Sequence, residues 1–197
     1  MNVFDKIAHH YDSPKQLELA NSITNEIKKH VGDTSNKLVL DYGCGTGLIG
    51  LQIVNDVKEM YFVDPSQEMI HIVDQKITEM NQMNVKTVIG RFSKNHTLNI
   101  KADLIIVSLV LLHVPDTLDL LESLYQALNL GGQLIIIDFD KNEKIYHEKV
   151  HNGFVQEELK KQMAEIGFNS VSSQTFHHGK NLFMKQDASM FSLIAEK

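Results

Sequence analysis

The sequence predicts an α/β protein: a doubly wound, mostly parallel sheet with helices on both faces and an antiparallel hairpin at the C-terminal end. Three observations predict it. An apolar run ends in an acid and then in three glycines at alternate positions, Val39-Leu40-Asp41-Tyr42-Gly43-Cys44-Gly45-Thr46-Gly47. Short apolar runs then alternate with segments of helical periodicity, as βα units require. Finally, two strand-like runs, Ser170 to Phe176 and Ala188 to Ala195, follow each other with no helix between them, so they pair antiparallel at a sheet edge.

Each element has its own signal. Phe4 to Tyr11 reads as a short helix. Ser13-Pro14-Lys15-Gln16 is a helix start with a serine cap, proline at the first position and glutamine three residues after the cap. The helix runs to about His30 on Leu17, Ala20, Ile23 and Ile27. Lys37 to Leu40 is the first strand, and a helix is expected from near Leu48, with Leu48, Leu51, Ile53 and Val54 as its apolar face. Strands follow at Lys86 to Ile89 and Gln133 to Asp138, the apolar stretch Leu104 to Leu112 broken by Ser108 reads as strand plus loop, and helices follow at Gln67 to Gln82, Thr117 to Leu128 and Gln156 to Ile166. With no repeat or linker to divide it, the chain reads as one domain. Residues 1–30 form an N-terminal lid or helical segment, 37–140 a cofactor-binding core, and 141–197 the last helix and hairpin.

The glycine loop raises the question of its ligand. Gly45-Thr46-Gly47-Leu48-Ile49-Gly50 satisfies the dinucleotide pattern G-x-G-x-x-G. A pyrophosphate there needs a helix N-terminus, and an acid at the strand end beneath the loop opposes it. Asp41 is that acid, and it suits a cofactor carrying an ammonium and a sulfonium.

At these residues the chain resembles the class I S-adenosylmethionine-dependent methyltransferases, whose first motif reads like Leu40 to Gly47. Further stretches agree in the family's order: Met60-Tyr61-Phe62-Val63-Asp64, Pro65-Ser66-Gln67-Glu68-Met69, Ala102 to Ser108 with Leu109 to Asp116 after it, and Leu130-Gly131-Gly132 leading into the fifth strand. The resemblance implies a Rossmann-like sheet of seven strands with S-adenosyl-L-methionine as cofactor and S-adenosyl-L-homocysteine as product. It implies that Asp41 and the backbone of Gly43, Cys44, Gly45 and Gly47 face the methionine end. Asp64, before Pro65, holds the ribose hydroxyls, Met69 lies near the adenine, and Ser108 and Leu109 offer backbone contacts beside the methyl. A lid segment, Phe4 to Asp12, carries Tyr11 over the methionine end. Two departures stand out: Arg91 follows Gly90 where the family often has an acid for the adenine amino group, leaving backbone groups around Arg91 and Phe92 for that contact. The paired histidines of some relatives read Leu112-His113 here.

Other residues carry weaker signals. His113 follows the fourth strand, where a substrate could be deprotonated, and its ordinary pKa suits a base. His147-Glu148-Lys149-Val150-His151 matches H-E-x-x-H, but Asn152-Gly153 ends any helix there, so a substrate-side loop is expected and no metal. Cys44, beside an acid, reads as a small loop residue and not as a nucleophile.

Composition narrows the partners. A net charge of -6 disfavours nucleic acid, and a small-molecule substrate is expected. One cysteine permits no internal disulfide, the opening residues lack the apolar core of a signal peptide, and no run spans a membrane, so a cytoplasmic enzyme is expected. Methyl transfer to a small acceptor is the function the sequence supports best. An NAD-dependent oxidoreductase and a noncatalytic S-adenosylmethionine-binding module are the alternatives.

Overall fold

Seven strands hydrogen-bond into one sheet in the order β3-β2-β1-β4-β5-β7-β6. The coordinates are a computed structural model, and they describe residues 3–93 and 98–197. The strands are β1 (Leu38–Tyr42), β2 (Glu59–Asp64), β3 (Val85–Ile89), β4 (Ala102–Ser108), β5 (Leu128–Phe139), β6 (Asn169–Phe183) and β7 (Gln186–Glu196). The helices are α1 (Val3–Ile7), α2 (Pro14–His30), α3 (Gln67–Glu79), α4 (Thr117–Ala127) and α5 (Gln156–Ile166). Strands β1 to β5 pair parallel, and β7 runs antiparallel to both β5 and β6.

The central strands are mostly apolar, as strands covered on both faces are. Successive residues alternate between two cores. Leu40, Ile105, Val107, Leu134 and Ile136 pack with Leu121, Leu124, Leu159 and Met163 of α4 and α5 on one face. Val39, Leu104, Ile106, Ile135 and Ile137 pack with Ile23 and Ile27 of α2 on the other. The caps read from the sequence are formed: Ser13 Oγ accepts from Gln16 N at 3.3 Å, and Pro14 opens α2.

The segment after the glycine loop differs from expectation. No α-helix starts near Leu48; two short 3-10 turns, Gly50–Gln52 and Val54–Asp56, bridge β1 and β2. β-Branched Ile49, Ile53 and Val54 around Gly50 make a weak helix, and a glycine inside one costs about 1 kcal/mol. Gly50 also packs so closely that an added Cβ would lie 2.4 Å from the Phe62 ring. Of the apolar residues assigned to a helix face, these turns bury Ile53 and Val54 and leave Leu48 and Leu51 half-buried. Smaller differences are matters of length: α3 stops at Glu79 because Asn81 takes a left-handed φ of 53°, and the terminal strands extend beyond the sequence limits to Phe183 and Glu196.

Candidate active site

The chain runs outward from β1 to β3, then returns to place β4 on the other side of β1, so the crevice above β1 and β4 is the switch point where ligands settle in doubly wound sheets. A cavity of about 660 Å³ opens there. Of the residues singled out in the sequence, Tyr11, Gly43, Gly45, Asp64, Pro65, Met69, Arg91, Phe92, Ser108, Leu109 and His113 line it. Asp41 and Cys44 line an adjoining recess of about 60 Å³, walled by Gln16, Ala20 and Ile23 of α2. Gly47 lines neither; a Cβ there would press on Leu51 and Val73 at 3.1 to 3.3 Å, so its role is packing.

Glycine is required in the loop for two reasons. Gly43 and Gly45 have φ of 69° and 54°, which an L side chain rarely adopts. A Cβ on Gly43 would lie 2.4 Å from Val110 Cγ2, so the loop and the segment after β4 touch backbone to side chain. Gly43 N and Cys44 N donate to Val63 O, which fastens the loop to β2.

Two buried carboxylates flank this loop. Asp64, 7% exposed, accepts from Gly45 N at 3.0 Å through Oδ2 and from Ser66 N at 2.8 Å through Oδ1. Asp64 thus forms the turn into α3, and each oxygen keeps a second lone pair for a ligand hydroxyl. Burial pushes its pKa up, the two backbone hydrogen bonds oppose this, and Asp5 nearby adds to the rise. Asp41 lies beneath the loop and accepts from Gly50 N at 3.1 Å. Burial pushes it up to about 7, with Asp64 contributing. Burial likewise pushes the Cys44 thiol up, with Asp41 and Asp64 adding to it, so the thiol is a poor nucleophile.

The walls contain residues the sequence did not single out. Tyr42 sits in the first motif, and its hydroxyl accepts from Phe92 N at 3.2 Å. The Phe92 amide, one of the backbone groups assigned to the adenine, is thereby committed to the protein. Leu109 turns the chain out of β4 at φ 55°, a strained angle for a residue with a Cβ, and its N donates to Ile137 O. Ser108 Oγ is buried with no hydrogen-bond partner among the described residues, between the cavity and the recess. An orphaned hydroxyl at that place fits a polar ligand group. Beyond it the wall carries the apolar Val110, Val114, Pro115 and Leu120, with the acids Asp116 and Asp119 among them. His113 is exposed at this end, with its ring edge-on to Phe4 at 5.1 Å. Desolvation in the cavity pushes its pKa down, and His147 adds to the effect.

The N-terminal segment is fastened across the opening. Ser66 Oγ donates to Asp5 Oδ1, and Lys76 Nζ donates at 2.7 Å to both Asp12 Oδ2 and Thr46 O. Tyr11, which lines both spaces, is held between them. Burial pushes its pKa up, with Asp64 and Asp12 adding to it.

These features decide between the two glycine patterns. G-x-G-x-x-G needs a helix beginning in the loop to meet a pyrophosphate, and the 3-10 turns supply none. The H-E-x-x-H segment is irregular, so no helix aligns His147 and His151. His147 Nδ1 accepts from Lys149 N, and His151 Nε2 donates to Val114 O. Among the described residues no group of three His, Cys, Asp or Glu side chains is placed to hold a metal.

A model of the ubiE/COQ5 methyltransferase family matches residues 1–159. The chain belongs to that family. It is 27% identical over 146 residues to a demethylmenaquinone methyltransferase of Geobacillus sp. (strain WCH70), covering 70% of this chain and 61% of the relative. It is 24% identical over 124 residues to an uncharacterized methyltransferase of Schizosaccharomyces pombe, covering 59% of this chain and 44% of the relative. This ubiE/COQ5 family member therefore spans less than two thirds of the length of those curated relatives. The fold matches a SAM-dependent methyltransferase from Aquifex aeolicus with a TM-score of 0.75 at 20% identity, covering 98% and 97% of the two chains. It also matches the N-methyltransferase NodS from Bradyrhizobium japonicum, crystallised with S-adenosylhomocysteine, with a TM-score of 0.74 at 15% identity, covering 94% and 89%.

Proposed function

We propose that this protein transfers a methyl group from S-adenosylmethionine to a small aromatic acceptor, with demethylmenaquinone in its reduced, hydroquinone form as the first candidate. The single observation that carries the reading is the cavity at the switch point, which joins a polar end at Asp64 and Ser108 to an apolar end at Val110, Val114 and Leu120. The polar end suits the cofactor and the apolar end suits a ring. The relatives bearing the name demethylmenaquinone methyltransferase supply the candidate acceptor.

When bound, S-adenosylmethionine supplies an activated methyl group on a sulfonium centre. Asp64 would accept from the ribose hydroxyls with its remaining lone pairs, beside Pro65, while Met69, Arg91 and Phe92 would bound the adenine. Gly43, Gly45, Tyr11 and Ser108 would hold the methionine end, with the Asp41 carboxylate beneath it favouring the ammonium. Cys44 and Gly47 shape the loop, and Leu109 sets the wall beside the methyl. Holding donor and acceptor in line can lower the barrier by about 7 to 11 kcal/mol, which is the main task of such a site. His113, neutral because desolvation lowers its pKa, takes the acceptor's proton. A cytoplasmic setting belongs to the same reading; no helix among the described residues is long and apolar enough to cross a membrane.

The test is calorimetry with S-adenosylhomocysteine on the wild type and D64A, followed by transfer of labelled methyl to demethylmenaquinone kept throughout in its reduced, hydroquinone form. The wild type should bind, and D64A should lose about 10-fold or more in affinity, the scale of hydrogen bonds to a charged group. No binding by the wild type removes the cofactor. Binding without transfer removes the acceptor and leaves a binding module.

A further inference from the structure

The wall that presents His113 is a single short turn, closed within itself only by His113 N to Val110 O and Val114 N to Leu111 O. Leu111–His113 is three residues of 3-10 helix without a side-chain cap, one residue beyond the strained Leu109. Its peptide groups are also held from two sides. From β5, Asp138, which is fully buried, accepts from Leu112 N at 3.3 Å and from Phe139 N at 2.8 Å. From the loop after β5, His151 N donates to Leu112 O at 2.8 Å, and His151 Nε2 donates to Val114 O at 2.9 Å. Because a carbonyl only accepts, the bond to Val114 fixes the Nε2–H tautomer of His151. The His151 ring lies 5.4 Å from that of Phe154, which keeps it in place.

We propose that Asp138 and His151 are positioning residues for methyl transfer: by holding Leu112 and Val114 they set His113, between them, against the cavity and Phe4. The inference rests on reading that end of the cavity as the acceptor site. It accounts for two features the cofactor leaves unexplained, a lone acid inside the apolar run of β5 and the second histidine of the H-E-x-x-H pattern. Asp138 acts through backbone bonds alone: burial pushes its pKa up to about 7, and the amides of Phe139, Leu112 and Leu111 oppose this. Phe4 packs edge-on to the His113 ring, His147 is near enough to lower its pKa, and Asp116 and Asp119 line the same cavity.

Three variants separate positioning from bulk stability. H151F keeps a ring beside Phe154 and loses the donor to Val114. H151Q keeps a side-chain N–H, and D138N keeps the shape while losing one acceptor. The first readout needs no substrate: the His113 ring signals in proton NMR, assigned by their loss in H113A and followed through a pH titration. H151F and D138N should shift these signals and their midpoint, and H151Q should return them toward the wild type. The second readout is the rate with S-adenosylmethionine and demethylmenaquinone. H151F should lower kcat about 10-fold, the rate equivalent of one lost hydrogen bond, and leave S-adenosylhomocysteine affinity within about twofold. In an H113A background the same change should add no further loss.

Unchanged His113 signals in H151F overturn the inference, as do equal rate losses with and without His113. If the wild type does not methylate demethylmenaquinone, the acceptor reading fails by itself and the NMR titration decides the positioning role. Should D138N lose its fold by circular dichroism, H151F carries the test.

Discussion

Glu26 lies on α2, which walls the recess at Asp41 and Cys44, and its removal should cost stability in a pH-dependent way. The side chain is 1% exposed on α2, yet its two oxygens receive four donors. Lys29 Nζ lies 2.9 Å from Oε2, while His30 Nε2 at 2.9 Å, Ser192 Oγ at 2.8 Å and Gln174 Nε2 at 2.8 Å converge on Oε1. Two of the donors come from β6 and β7, so this carboxylate fastens α2 to the terminal hairpin. Burial alone would push its pKa up; the bonds from His30, Lys29, Ser192 and Gln174 outweigh it and lower the pKa from 4.5 to about 2. At 1.36 kcal/mol per pH unit, that difference is worth about 3 kcal/mol to the folded state at neutral pH. A depressed carboxylate stabilises above its unfolded pKa and loses the effect as pH falls through the folded one. The contribution should therefore drop to roughly 2 kcal/mol by about pH 3.5 and vanish below about pH 2. Urea unfolding of the wild type and E26Q, followed by circular dichroism, measures the difference. E26Q should be the less stable at pH 7, by a margin that shrinks toward pH 3.5. A margin that stays constant over that range would refute the ionised network.

Other expectations follow from the site. Asp41 is pushed from 3.8 up to about 7, so its ionisation weakens the empty protein progressively as pH rises between those values. D41N should raise the melting temperature of the ligand-free protein at pH 8 and weaken S-adenosylhomocysteine binding by calorimetry; a lower melting temperature would count against the assignment. G43A places a Cβ at φ 69° and 2.4 Å from Val110 Cγ2, so cofactor affinity should fall at least about 10-fold, and V110A should restore part of it by removing the clash but not the strain. K76M breaks the bonds from Lys76 to Asp12 and Thr46 O, and S-adenosylhomocysteine should dissociate about 3- to 10-fold faster in stopped flow. An unchanged release rate would mean that the N-terminal segment is not fastened through Lys76.

The strand pattern and the terminal hairpin were legible because they rest on local periodicity and on the absence of a helix between two apolar runs. The cap of α2 was legible for the same reason: Ser13 and its neighbours act within four residues. The glycine loop showed that a ligand approaches the backbone, since its spacing has few other uses. The segment after Gly47 misled because apolar residues at helical spacing are also what two buried 3-10 turns require, and Gly50 packing on Phe62 is a contact between distant residues. Asp138 carried a signal, an acid within Leu134 to Phe139, but its partner Leu112 lies 26 residues away.

By itself the sequence determined the alternation of strands and helices, the glycine loop with Asp41 and Asp64 at the strand ends, and the methyltransferase resemblance. These depend on residue type and spacing along the chain. Only the tertiary structure decided which residues share a cavity. Tyr42 taking the Phe92 amide, Lys76 joining Asp12 to Thr46, and Asp138 and His151 holding one turn are all contacts between segments that only the completed sheet brings together. Hydrogen bonds of that kind are satisfied across the fold, and nothing in the local sequence marks their partners.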